Sequence, residues 1–156
     1  MHTNIGLSDQ VRKAVSDLLG VLLANQFVVY AKTLKFHWNV RGMEFKPLHL
    51  FFEEQYEQML DLVDEVAERI RTLGHLAPAT MAEYLEHSTV GEAPGENPTD
   101  KGMIQALLRD HETIIQLVRK DVDATAELGD MGTNNFLCDV LEKHEKMAWM
   151  LRAFLD

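Results

Sequence analysis

Residues 35–54 read KFHWNVRGMEFKPLHLFFEE, and in this stretch two long helical patterns meet. Upstream, Ser8 is a suitable N-cap, and Val11, Val15, Leu18, Leu19, Leu22, Leu23, Val29, Tyr30 and Leu34 recur at helical spacing to about Trp38. Downstream, Pro47 suits a first helical turn. From there Leu48, Phe52, Met59, Leu62, Val63, Val66, Ile70 and Leu73 form one stripe that stops at Gly74. Gly42 and Pro47 thus mark a tight reversal with His37 on one side and His49 on the other.

Working outward, residues 74–100 are rich in Gly and Pro and make a long connection, inside which MAEYLEH (81–87) predicts a short helix. A third helix begins near Pro98 and Thr99, and a fourth follows GDMGTNN (129–135), read as a turn. No segment alternates with period two long enough to suggest a sheet. The fold class is therefore all-α, a four-helix bundle of the ferritin-like type with a short helix in its long middle connection, and 156 residues are expected to form a single domain over 1–156.

A hydrophobic content of 46% excludes a disordered polymer, and a net charge of −10 favours cations over nucleic acid as partners. The single cysteine, Cys138, permits no intramolecular disulfide and is assigned as a buried small hydrophobe. The first residues lack a basic and then apolar leader, so the expected location is cytoplasmic. Polar residues interrupt every hydrophobic stretch, so no membrane span is expected.

The second helix carries the chemistry. With His49 set at zero and about 100° per residue, Glu53 falls near 40°, Asp64 near 60° and Glu68 near 100°, all on one face and off the apolar stripe. Such a stripe is ordinarily a solvated surface. Here histidine joins carboxylate, a ligand set for iron, manganese or zinc, with His49 and Glu53 spaced i,i+4 and Asp64 and Glu68 repeating that spacing. Fifteen residues at 1.5 Å each separate His49 from Asp64 by roughly 22 Å, too far to share an ion. An antiparallel copy of this helix, related by a two-fold axis near residues 58 and 59, would bring one chain's Asp64 and Glu68 opposite its mate's His49 and Glu53, and His37 would complete the set.

The string HWNVRGMEFKPLH, continued by Glu53, Asp64 and DEVAERIRTLG, resembles the signature of the Dps family of mini-ferritins, and the similarity extends over most of the chain. The resemblance implies a hollow homo-dodecamer built from two-fold dimers. It implies oxidation of Fe(II), preferably by hydrogen peroxide, at an inter-subunit di-iron site, with ferric mineral stored inside. His37, His49 and Glu53 would be iron ligands from one subunit, with Glu53 where many relatives have Asp, and Asp64 and Glu68 would come from its mate. Trp38, beside a ligand, would either pack the helix end or consume stray radical equivalents.

Two departures from the family pattern stand out. The residues before the first helix contain no Lys or Arg, so DNA binding is not expected unless Arg12 and Lys13, or Lys143, Lys146 and Arg152, form a patch. The turn into the last helix offers only Glu127 and Asp130, with Asp139 beyond, as acids for an iron-entry pore. His75, His87, His111 and His144 lack matching carboxylates and are assigned as surface or satisfied structural histidines. The competing functions are a DNA-compacting nucleoid protein with secondary iron chemistry, and a metal-sequestering cage in which zinc substitutes for iron.

Overall fold

A computed structural model describes residues 3–95 and 97–155. Five helices follow in order: α1 (Asp9–Asn39), α2 (Phe45–Thr72), α3 (Met81–His87), α4 (Asp100–Glu127) and α5 (Met131–Ala153), with no strand among the described residues. Four starts carry a side-chain cap. Ser8 accepts from the Val11 amide at 3.2 Å and Thr99 from the Gly102 amide at 3.1 Å. Thr80 and Glu83 cap α3 reciprocally, which lets so short a helix persist in the connection. The α5 start differs from the expected turn, because Asp130 caps it and most of GDMGTNN is already helical. A run of Gly, Asp and Asn reads as a loop by propensity, yet a capped first turn tolerates all three.

The chain forms two hairpins, α1 with α2 and α4 with α5, that close on one core. Leu19, Leu22 and Phe36 of α1 meet Phe52, Met59 and Val66 of α2, Leu107 and Ile114 of α4, and Leu137 and Met147 of α5. Lys32 and Asp110 clamp α1 to α4 through a buried ion pair at 2.6 Å, where burial raises the Asp110 pKa and Lys32 opposes the rise. Arg12 lies inside the fold and donates to the Leu73 carbonyl at 2.7 Å, closing the C-terminal end of α2. Asn25 receives the long connection: its side-chain oxygen accepts from the Thr89 amide at 2.7 Å and the Val90 amide at 3.2 Å, so these backbone groups stay paired without regular structure.

Contrary to the sequence expectation, α1 is long and apolar enough to cross a bilayer by length and composition. Over half of that apolar window, 56%, is buried inside the bundle, so the core uses the apolar surface. Cys138 is half-buried rather than buried. His111 and His144 are fully buried and only partly satisfied. The Gln26 amide nitrogen donates to His144 Nε2 (3.1 Å), so His144 carries its proton on Nδ1 and donates it to His111 Nδ1 (3.0 Å). His111 Nε2 and the Gln26 side-chain oxygen are left without partners. Burial pushes the His111 pKa down to about 4, and burial together with the neighbouring His111 pushes that of His144 well below its usual value.

Candidate metal centre

The last turn of α1 presents His37, and the chain reverses through Gly42, whose φ of 118° is a conformation that a side chain disfavours. α2 then starts at Phe45, with Pro47 in its first turn. This reversal lays the two imidazoles face to face, centroids 3.8 Å apart and planes inclined by 18°. His37 Nδ1 donates to the His49 carbonyl at 2.8 Å, and His49 Nδ1 donates to the His37 carbonyl at 2.9 Å. A carbonyl only accepts, so both Nδ1 atoms carry hydrogen, and Nε2 is the atom each ring has to offer a metal. The pair is oriented as metal-binding histidines are, by backbone acceptors behind the rings.

Glu53 lies one helical turn beyond His49, half-buried, and its Oε1 accepts from the Tyr56 hydroxyl at 3.4 Å. Tyr56 also presents its ring edge-on to His37 at 5.2 Å, and Phe45 stacks on His49 at the same distance. Between Lys46 and Arg69 the helix carries seven carboxylates and no Lys or Arg, so cations are drawn to this helix. Asp64 and Glu68 are both exposed on it, several turns from the histidine pair. His37, His49 and Glu53 are thus gathered at one end of α2, and Asp64 and Glu68 stand apart from them. Among the described residues no three His, Cys, Asp or Glu side chains converge within the chain. Trp38 follows His37 but is 67% exposed.

Two sequence expectations change. Asp130 is not a free pore acid: it is 3% exposed, caps α5 through the Thr133 amide (3.0 Å) and pairs with Arg69 (3.1 Å), which also donates to the Thr133 hydroxyl (2.9 Å). Glu127 and Asp139 remain exposed. The proposed basic patches are also largely neutralised, since Arg12 is buried, Lys13 pairs with Asp17, Lys143 with Glu65 and Arg152 with Glu112. Tyr56 escaped sequence reasoning, although its position seven residues after His49 put it within about 20° of the ligand face.

The chain matches the ferritin-like domain family over residues 16–156. It is 39% identical to DNA protection during starvation protein 2 of Bacillus anthracis, across 94% of this chain and 99% of that relative. Its fold superposes on DpsC from Streptomyces coelicolor with a TM-score of 0.97, at 31% identity, over 100% of this chain and 91% of that one. The chain belongs to the Dps family. Another Dps, from Vibrio cholerae O1, is described as a member of a broad superfamily of ferritin-like diiron-carboxylate proteins. It matches at 33% identity with a TM-score of 0.94, over 100% of this chain and 98% of that one. An uncharacterized low temperature-induced protein of Nostoc is 42% identical over 98% of this chain and 86% of its own length. The family to which the chain belongs is thus a ferritin-like one, associated with iron storage and protection.

Proposed function

We propose that this Dps-family chain is a ferroxidase that oxidises Fe(II), with hydrogen peroxide as preferred oxidant, and stores the ferric product inside a cytoplasmic dodecamer built from two-fold dimers of single-domain subunits. The observation that carries the reading is the reciprocal clasp of His37 and His49, which leaves two Nε2 atoms to offer a metal at the head of a carboxylate-lined helix. In the dimer, antiparallel α2 helices place Asp64 and Glu68 of one chain beside His37, His49 and Glu53 of the other, twice over, as an isologous contact requires. Imidazole and carboxylate suit Fe(II), and the negative carboxylates favour the more highly charged Fe(III) product. Two iron ions held together deliver both electrons to one peroxide: two Fe(II), one H2O2 and two protons give two Fe(III) and two waters.

The test is stopped-flow absorbance of Fe(III) after anaerobic Fe(II) loading and peroxide addition. H37A/H49A should lose the fast phase while keeping helical content and assembly, because neither histidine belongs to the hydrophobic core. Unchanged initial rates refute the ligand assignment. Mixing H37A/H49A chains with D64A/E68A chains should restore part of the rate, because one of the two sites in a mixed dimer keeps every ligand. Zinc in place of iron gives no Fe(III) signal and separates turnover from plain sequestration. The DNA-compacting alternative is disfavoured by the paired state of Lys13, Lys143 and Arg152.

A further inference from the structure

Between α1, α3 and the chain that follows α3 lies a cavity that the candidate metal centre does not use. Its volume is about 400 Å3, within the roughly 300–1,000 Å3 of small-molecule sites. The back wall is apolar, with Phe27 and Tyr84 stacked at 4.3 Å and the buried Val28 alongside in the lining. Met81 and Leu85 of α3 carry this surface to the rim, where both are exposed and fill no part of the hydrophobic core. The walls are fixed before any ligand arrives. Thr80 and Glu83 cap α3, Asn25 holds the backbone at Thr89 and Val90, and the Lys35 ammonium donates to the Ala93 carbonyl.

The α1 side of the cavity is cationic. Lys32 lines it, but its ammonium lies 2.6 Å from Asp110, so the charge there is already balanced. Lys35 differs. An ammonium has three hydrogens, the Ala93 carbonyl takes one, and no carboxylate pairs with this lysine among the described residues. Glu92, the acid on the lining, is exposed on the connection, where water and salt screen it. We propose that this cavity binds a small monocarboxylate with an apolar body, of the medium-chain fatty acid class. The carboxylate accepts from Lys35 Nζ, and the hydrocarbon lies along Phe27, Tyr84 and Leu85.

Burial of the hydrocarbon supplies the affinity, and the charge-assisted hydrogen bond to the ammonium sets the orientation. A single unbalanced lysine matches a single negative charge. A doubly charged phosphate would leave one charge uncompensated and meet Glu92 as well. None of the residues invoked is a proposed iron ligand, so the inference stands apart from the ferroxidase reading.

The test is isothermal titration calorimetry of the assembled protein, without added iron, against sodium octanoate kept well below its micelle concentration, with 1-octanol as the uncharged match. Wild type should bind octanoate saturably, with a single site per chain, and about tenfold more tightly than 1-octanol. Lys35→Gln removes the charge while keeping an N–H donor for the Ala93 carbonyl. It should weaken octanoate about tenfold and leave 1-octanol unchanged. Leu85→Glu, at an exposed position, places a carboxylate at the rim and should abolish octanoate binding. Unchanged circular dichroism and assembly exclude misfolding as the cause in both variants. The absence of saturable octanoate binding to the assembled wild type overturns the proposal, including the case in which a second copy's side chain fills the cavity. Equal affinity for octanoate and 1-octanol overturns it too, as does octanoate affinity unaltered in Lys35→Gln.

Discussion

Lowering the pH from about 7.5 to about 4.5 should set the buried histidines against a buried aspartate. The His111 pKa is about 4 in the folded chain against 6.5 when solvated, so between those values the unfolded chain binds more protons. Its contribution to stability is complete above about 7 and is lost as the pH falls towards 4, about 2.5 kcal/mol over the interval. His144 is shifted in the same direction and adds to the loss. Asp121, pushed up to about 6 by burial, works the other way, because the folded chain binds its proton first and regains up to about 2 kcal/mol over the same interval. Wild type should therefore lose stability on acidification, with Asp121 offsetting part of the loss, and the histidine contribution is isolated by difference. In Q26L/H111L/H144L the whole polar cluster is replaced by apolar groups of similar size, so no new unpartnered group is created. Urea unfolding of the assembled protein at both pH values, followed by circular dichroism, gives the difference. Relative to wild type the variant should gain about 2.5 kcal/mol or more on acidification. A relative stability unchanged to within about 0.5 kcal/mol would show that burial does not hold these rings neutral.

Asp130→Ala removes the α5 cap and leaves the half-buried Arg69 without its carboxylate, so unfolding free energy should fall by about 2 kcal/mol, read by urea titration; a loss below about 0.5 would show the pair to be idle. Gly42→Ala meets no neighbouring atom but forces a Cβ onto a φ of 118°. Straining this reversal should shift His37 against His49 and weaken binding of Co(II), followed by its visible spectrum, with unaltered affinity refuting the role of the reversal. Plasmid DNA should not be retained in a gel shift at neutral pH, about 0.1 M salt and no divalent metal; a shift that disappears as salt rises would reinstate the DNA-compacting reading.

The helices were legible because their signals are local. Ser8, Thr80 and Thr99 cap where their sequence offsets require, and the α2 stripe that separates ligand face from core follows from periodicity. The face shared by His49, Glu53, Asp64 and Glu68 was legible for the same reason, since a straight helix turns spacing into geometry. Long-range pairing was not. Nothing near Asp130 announces Arg69, 61 residues earlier, and Gln26, His111 and His144 meet only when three helices close. Lys143 looked like a free base until Glu65, 78 residues away, came to lie against it. Each of these three misses is a polar residue whose partner lies on another helix, where turn propensity and charge counting carry no information.

The atoms that aim His37 and His49 are the carbonyl oxygens of those same two residues. Every amino acid supplies a carbonyl, so no separate side chain can be deleted to misalign the rings. A saturation scan of the surrounding positions would identify the ligands and the Gly42 reversal yet find no side chain dedicated to holding the rings. Neighbouring side chains are then free to vary in size and charge while ring orientation is retained, provided the reversal through Gly42 keeps the ends of α1 and α2 in register.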